Sequence, residues 1–130
     1  MPHFSIEYSA NLDDIVDIAK LCDALRKAAI ETGVFPLAGI RVRAFRADHV
    51  SIADGDPQHG FLDLVIRLRE GRSQDAKEAA AAHVFKALEA FLEPAMAEHS
   101  IAISMEMRDI DAQLSPKTGT IRDHLKKDAT

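Results

Sequence analysis

The residue with the clearest chemical potential is Pro2, directly after the initiator methionine. If Met1 is removed, Pro2 becomes a secondary amine at the start of the chain. An α-amino group titrates near ~8, closer to neutrality than lysine, and burial or nearby cations lower that pKa further. Such an amine suits general-base catalysis at neutral pH. Proline makes up about 5% of residues on average, so this position alone is a weak signal.

Arginines supply what a base for carbon acids needs, namely cations that hold a developing enolate and bind substrate carboxylates. Arg41 and Arg43 fall on one face of a predicted strand. Arg72 falls in a predicted strand-to-helix turn, where free backbone N–H groups also attract an anion. Any one arginine is more often a solvated surface charge, but Pro2 with Arg41, Arg43 or Arg72 could form a proton-transfer site.

The first of these residues belong to a strand followed by a helix. Alternating apolar residues predict a strand over residues 2–8. Asn11 or Asp13 could cap a helix over about residues 12–32, which Gly33 would end. The helical spacing is carried by apolar residues, namely Ile15, Ile18, Ala19, Cys22, Leu25 and Ala29.

A second strand is predicted over residues 40–45, where apolar residues alternate with Arg41 and Arg43. A short continuation of this strand could follow through residues 49–52. The glycine and proline of residues 53–57 then predict a turn.

The same pattern restarts about 60 residues later. Residues 62–68 alternate as a strand, Gly71 ends it, and Ser73 can cap a long helix that ends about one turn after Pro94. A last strand is predicted over residues 101–108, and a polar tail follows. The apolar face predicted for the helix contains Ala76, Ala79, Ala80, His83, Ala87 and Phe91, with His83 interpreted as a core histidine.

Two tandem β-α-β units predict an α/β (α+β) fold with a four-stranded, mostly parallel or mixed sheet and two helices on one face. We expect a single domain over residues 1–130, with pseudo-repeats at about 2–55 and 61–110 and a tail at 111–130. The other sheet face would be partly apolar and uncovered, which predicts an oligomer.

Composition excludes several function classes. A formal charge of −5 and a pI near 5.6 argue against a nucleic-acid or membrane-surface binder. The single cysteine, Cys22, and the absence of a signal segment or a long apolar run predict a cytoplasmic protein. The histidines are scattered without metal-ligand spacing, so no metal site is expected.

Several segments together resemble the 5-carboxymethyl-2-hydroxymuconate delta-isomerase family of the tautomerase superfamily. The resemblance runs from the first residue to roughly Glu106, in the same order and spacing. It is carried by MPHF (residues 1–4), EYS (7–9), TGVFPLAGIR (32–41), ADG (53–55) and GRS (71–73).

The resemblance implies a cofactor-independent homotrimer of β-α-β repeats. The implied reaction converts a tricarboxylate dienol, 5-carboxymethyl-2-hydroxymuconate, to 5-oxopent-3-ene-1,2,5-tricarboxylate in bacterial homoprotocatechuate degradation. It also implies that the family's N-terminal proline corresponds to Pro2 and its active-site arginines to Arg41 and Arg72. On this interpretation, second choices for lining the pocket are Arg43, His3 and Phe45.

The repeat predicts one composite site per chain or per subunit boundary. At an offset of about 60, Leu62 stands opposite Pro2, and Arg72 stands opposite Leu12. Neither half therefore contains both the base and the turn arginine. Two alternatives remain open, a keto-enol tautomerase of a phenylpyruvate-like acid and a non-enzymatic trimeric binding module in which Pro2 is incidental.

Overall fold

A computed structural model describes residues 1–126 of the chain. Its strands are β1 (His3–Ser9), β2 (Arg41–Ala47), β3 (Gly60–Arg69) and β4 (Ile101–Ile110), and its α-helices are α1 (Ile18–Thr32) and α2 (Gln74–Glu98). Short 3-10 helices span Ala10–Asp14, Leu37–Gly39 and Ile121–His124. The predicted tail extends to residue 130, so its last four residues lie outside the described part.

The four strands form one mixed sheet in the order β2-β1-β3-β4. Strands β1 and β2 are parallel, as are β3 and β4, while β1 and β3 pair antiparallel. Each parallel pair is joined through a helix, as parallel strands require. The predicted fold class is thereby confirmed. The antiparallel pairing brings the start of β1 beside the end of β3, with His3 opposite Arg67.

The core lies between the sheet and the helices. Alternate residues of β1 and β3 point towards the helices and are buried, because period-2 alternation places them on one face. The two helices contribute stripes of leucine, valine and alanine. The largest fully buried side chains are Phe4, Ile6, Leu12, Leu21, Leu25, Leu62, Leu64, Ile66, Leu68, Val84, Leu88 and Leu92.

Helix α1 begins at Ile18, about six residues later than the sequence pattern predicted. Its cap is Asp17, whose carboxylate accepts a hydrogen bond from the Lys20 backbone N–H at 3.0 Å. Asn11 is engaged elsewhere, because Ser9 Oγ donates to its side-chain oxygen at 2.7 Å. The predicted end of the helix at Gly33 is confirmed, with a φ of 68°.

Helix α2 differs from the prediction in its buried face. Its fully buried side chains are Ala80, Val84, Leu88 and Leu92. This buried stripe is rotated about the helix axis relative to the predicted face, which consisted mainly of alanines. Valine and leucine bury more apolar area than alanine and therefore set the orientation. The interpretation of His83 as a core residue was wrong, since it is exposed and its Nε2 lies 2.8 Å from Glu31 Oε1. The helix ends at Glu98, about one turn after Pro94, as predicted.

The sheet face opposite the helices is uncovered in the single chain and is more polar than predicted. By strand alternation and register it carries Ser5, Glu7, Arg41, Arg43, Phe45, Phe61, Asp63, Val65, Arg67, Glu106 and Arg108. Its most exposed large apolar side chain is Phe45, with 58% of its surface accessible.

The predicted continuation of the second strand through residues 49–52 is not a strand. No helix within residues 1–126 is long and apolar enough to cross a membrane.

Candidate active site

Pro2 is buried at the start of β1, against the turn that precedes β2. The Arg41 backbone N–H donates to the Pro2 carbonyl at 3.2 Å, which extends the pairing of the two strands. Gly39 is needed for this approach, because a Cβ at that position would lie 2.8 Å from Pro2 Cδ. The N-terminus is therefore held in one place by the β2 edge of the sheet.

The N-terminus opens onto a cavity of about 300 Å³. One wall comes from the segment before β2, including Pro36, Ala38 and Gly39, and the other comes from residues 117–123 of the tail. A second cavity of about 110 Å³ lies on the β3 side, lined by His3, Arg67, Arg69, Ile110 and Ser115 among others. Met1 and Lys117 line both cavities.

Arg41 is positioned by β2 and by the preceding turn. Its Nη1 donates to the Gly39 carbonyl at 2.9 Å and lies 2.8 Å from Met1 Sδ. Met1 therefore fills the space beside this guanidinium. Removal of Met1 would expose the guanidinium of Arg41 and the amine of Pro2 to the same cavity.

Arg72 is positioned by the turn between β3 and α2. Gly71 adopts a φ of 117°, which favours glycine, and Ser73 caps the helix through a hydrogen bond from the Ala76 N–H. The guanidinium of Arg72 donates from Nε to the Val34 carbonyl at 3.1 Å and from Nη1 to the Arg69 carbonyl at 2.9 Å. Backbone acceptors thus fix its orientation without neutralising its charge.

The electrostatics of the site favour a neutral amine and a bound anion. Burial lowers the pKa of the Met1 amine from its usual 8.0, and the positive charges of Lys117, Arg72 and Arg69 lower it further. Within residues 1–126, none of the salt bridges involves these three cations or Arg41. The arrangement can accept a proton at the amine and hold carboxylates on the cations.

The second-choice residues are divided between the site and the open sheet face. His3 lines the smaller cavity, and Arg43 Nη1 lies 3.0 Å from His3 Nδ1. Because arginine can only donate, His3 Nδ1 is the acceptor and Nε2 carries the proton. Burial and the charges of Arg43, Arg67 and Arg41 lower the His3 pKa. Phe45 and Arg43 line neither of the two cavities.

Sequence reasoning missed four cations that line the two cavities, Arg67, Arg69, Lys117 and Arg122. Arg69 could have been found, because antiparallel pairing of the two repeats brings the end of the second repeat's first strand beside the N-terminus. Lys117 had no such signal, since it lies in a tail without periodicity. No group of three or more His, Cys, Asp or Glu residues within residues 1–126 is arranged to hold a metal ion.

The fold and the position of the N-terminus define a class of protein. Two β-α-β units in one mixed four-stranded sheet form the fold of the tautomerase superfamily. The fold is shared with a native fused 4-OT, at a TM-score of 0.61 and 21% identity over 93% of this chain and 97% of that one. Another structure with this fold is a wild-type fused 4-OT symmetric trimer, at a TM-score of 0.65 and 17% identity over 89% of this chain and 93% of that one.

A narrower assignment follows from closer similarities. The sequence profile of 5-carboxymethyl-2-hydroxymuconate isomerase matches residues 2–125. The Escherichia coli 5-carboxymethyl-2-hydroxymuconate delta-isomerase is 28% identical over 121 residues, covering 93% of this chain and 96% of that protein. The chain belongs to the 5-carboxymethyl-2-hydroxymuconate isomerase family.

Solved structures agree with this assignment. A crystal structure of a 5-carboxymethyl-2-hydroxymuconate delta-isomerase is 29% identical, with a TM-score of 0.89 over 100% of this chain and 96% of that one. A 5-carboxymethyl-2-hydroxymuconate isomerase from Deinococcus radiodurans R1 is 26% identical, with a TM-score of 0.88 over 97% of this chain and 95% of that one. The similarity in both cases includes nearly the whole chain.

Proposed function

We propose that this protein isomerises 5-carboxymethyl-2-hydroxymuconate to 5-oxopent-3-ene-1,2,5-tricarboxylate, with the Pro2 amine as the proton carrier. The observation that carries the proposal is the placement of the N-terminus, where Met1 lines a cavity of about 300 Å³ and nearby cations lower the pKa of the Met1 amine. Family membership supports the choice of substrate. We further propose a role in homoprotocatechuate catabolism in the cytoplasm.

The reaction moves one proton along a conjugated system. The neutral Pro2 amine takes the proton from the 2-hydroxyl group, and the C–O bond becomes a carbonyl as the double bonds shift. The protonated amine then delivers the proton to carbon 5, which leaves one double bond between carbons 3 and 4. No atom is lost or gained, so a single base that accepts and returns a proton is sufficient.

Arg41 and Arg72 bind carboxylates and stabilise the dienolate. Their guanidinium groups are held by backbone carbonyls and need little reorganisation when negative charge develops. Positioning and charge stabilisation are therefore the main sources of rate.

Removal of Met1 is a condition of this mechanism, because an amide nitrogen at Pro2 is not a base. Intact mass of the purified protein should show a chain that lacks Met1. A second preparation with an alanine inserted between Met1 and Pro2 would keep Pro2 as an amide. We expect that preparation to lose activity by at least about 100-fold, the usual contribution of a positioned base.

The decisive experiment compares wild type, Pro2→Ala and Arg72→Ala with 5-carboxymethyl-2-hydroxymuconate and phenylpyruvate side by side. Arg26→Ala is the matched control, since Arg26 pairs with Asp23 on the surface of α1. We expect Pro2→Ala and Arg72→Ala each to reduce kcat/KM for the tricarboxylate by about 100-fold. Undiminished activity in Pro2→Ala would refute the assignment of the base.

Phenylpyruvate tests the alternative of a monocarboxylate tautomerase. A substrate with three carboxylates needs more than one cationic partner, so Arg72→Ala should damage its turnover far more than turnover of phenylpyruvate. Equal losses on both substrates would favour the alternative reaction.

We also infer that the protein is a homotrimer. Support comes from the uncovered sheet face with its exposed Phe45 and from the trimeric assembly of a fused 4-OT with the same fold. Pairing of this face with neighbouring subunits would cover the exposed apolar surface.

A further inference from the structure

The C-terminal tail, residues 111–126, lies against the N-terminus. Thr118 and Gly119 line the larger cavity, Ser115 and Pro116 line the smaller one, and Lys117 lines both. The tail therefore forms part of the wall around the proposed proton carrier.

The start of the tail is fixed to the end of β3. Arg69 Nη2 donates to the Ala112 carbonyl at 3.2 Å, and the Ala112 N–H donates to Glu70 Oε1 at 2.8 Å. Asp111 Oδ1 accepts from the Gln113 N–H at 2.8 Å, which turns the chain. Because Glu70 is two residues before Arg72, the same strand end positions both the tail and the turn arginine.

Lys117 adds a positive charge to a site that already holds several. It lines both cavities together with Met1, and its charge contributes to lowering the pKa of the Met1 amine. Among residues 1–126, it forms no salt bridge, and Asp123 is the one carboxylate in the lining of either cavity. Arg41 and Arg122 line the larger cavity with Lys117, and Arg67 and Arg69 line the smaller one. The cluster is therefore suited to an anion with several charges.

We propose that Lys117 binds a third substrate carboxylate, in addition to the carboxylates that Arg41 and Arg72 bind in the proposed mechanism. This inference rests on the proposed function. A muconate carries two carboxylates, and the carboxymethyl group adds the third. Lys117 is then a specificity-determining residue that favours tricarboxylates over dicarboxylates and monocarboxylates.

Binding of two unreactive probes tests this role apart from catalysis. Tricarballylate is glutarate with one additional carboxylate, and calorimetry on the protein without Met1 would measure the affinity of each. Wild type, Lys117→Met and Lys117→Arg are compared, with Lys86→Met on the exposed side of α2 as the control. We expect Lys117→Met to weaken tricarballylate binding about tenfold or more, as loss of a charge-assisted hydrogen bond does, with a much smaller effect on glutarate. Lys117→Arg and Lys86→Met should retain most of the affinity for tricarballylate.

Three results would overturn the proposal. Unchanged tricarballylate binding in Lys117→Met would show that the ammonium group takes no part, and equal weakening of both probes would show only that the tail had moved. Failure of the wild type to prefer tricarballylate over glutarate would show that no third cation acts on the ligand. Failure of the proposed function is distinguishable, because it would be seen as absent isomerisation by the wild type, whatever the probes show.

A kinetic measurement separates binding from positioning. If Lys117 binds a carboxylate equally in the substrate and the transition state, Lys117→Met should raise KM with little change in kcat. A fall in kcat alone, with unchanged KM, would contradict the assignment.

Discussion

At the N-terminus, the cations that would hold an anionic substrate also lower the proton affinity of the amine. Burial and the charges of Lys117, Arg72 and Arg69 all lower the pKa of the Met1 amine. An amine that is neutral near pH 7 can accept a proton, whereas one with an ordinary pKa near ~8 would be mostly charged. In the proposed mechanism the Pro2 amine would lie among the same cations once Met1 is removed, so substrate binding and base activation would depend on the same side chains.

The pH dependence of kcat/KM tests this coupling. A base works when deprotonated, so kcat/KM should rise with pH through the pKa of the Pro2 amine, which the neighbouring cations should lower. Removing the charge in Arg72→Ala should move the midpoint upward and lower the plateau. The control Arg26→Ala should leave the midpoint in place. A midpoint that stays constant in Arg72→Ala would show that its charge does not act on the base.

His3 provides a second test of the positive cluster. Its pKa is lowered from 6.5 by burial and by Arg43, Arg67 and Arg41, and protonation would also break the hydrogen bond from Arg43. NMR titration of the imidazole should give a midpoint below 6.5, and Arg43→Met should raise it. Because the folded state binds the proton less tightly than the unfolded state, His3 should reduce stability as pH falls below about 6.5. A His3 midpoint at or above its usual value would contradict this account.

At the scale of elements, the 3-10 turn Leu37–Gly39 and the start of β1 fit together through a close contact. A Cβ at Gly39 would lie 2.8 Å from Pro2 Cδ, and Pro2 is held by its hydrogen bond to Arg41. The turn therefore sets the depth at which the N-terminus lies in its cavity.

Gly39→Ala should destabilise the protein by about 1–3 kcal/mol, the usual cost of overpacking, and should reduce activity. Chemical denaturation would measure the change in unfolding free energy. Pro2→Ala removes Cδ, so the double variant Pro2→Ala with Gly39→Ala should recover most of the lost stability. Additive losses in the double variant would show that the contact is not the cause.

At the opposite end of the sheet, hydrogen bonds of His59 connect the loop before β3 to the start of β4. His59 Nε2 lies 2.8 Å from Asp54 Oδ1, and His59 Nδ1 lies 2.7 Å from Ser100 Oγ. Because a carboxylate only accepts, His59 Nε2 donates to Asp54 and Ser100 donates to Nδ1. His59 keeps 19% of its side-chain surface accessible, while Asp54 keeps 75%.

Loss of the two His59 hydrogen bonds should lower the stability of the fold more than the catalytic activity. We expect His59→Ala to reduce the free energy of unfolding by about 1–2 kcal/mol, with kcat/KM nearly unchanged because the proposed site lies at the other end of β1. Thermal denaturation and steady-state kinetics would measure the two effects. A large loss of activity at unchanged stability would assign His59 a catalytic role instead.

At the scale of the whole molecule, the open sheet face combines charged residues with a few apolar ones. Phe45 lies in register with Glu7 on β1, and Arg43 is two residues before it. A mixed face of this kind is suited to a subunit interface in which charges pair across the boundary and the aromatic side chain is covered.

Phe45→Lys should therefore shift the protein from trimer to monomer at micromolar concentration. Light scattering after size exclusion would give the mass, and Lys86→Glu on the exposed side of α2 is the control. A wild type that is monomeric would contradict the inference of a trimer, and a trimeric Phe45→Lys would show that this face is not the interface.

Local sequence determined much of the architecture. Alternation in residues 62–68 predicted β3, Gly33 predicted the end of α1, and Ser73 predicted the start of α2, because each signal depends on neighbouring residues alone. Pro2, Arg41 and Arg72 could also be selected from the sequence as candidates. Weaker local signals gave a wrong boundary for α1, since possible capping residues near Asn11 predicted a helix start about six residues before Ile18.

Contacts between residues that are far apart in the sequence could be seen only in the tertiary structure. The direction of pairing between β1 and β3 brings Arg69 and Arg72 to the N-terminus, and local periodicity does not specify that direction. The orientation of α2, which exposes His83, depended on competition among side chains for buried area. Lys117 could be identified as a candidate site residue only from the structure, because long-range hydrogen bonds hold the tail against the sheet. Proximity between residues more than a hundred positions apart arises from the fold, whereas the chemistry of each residue is already present in the sequence.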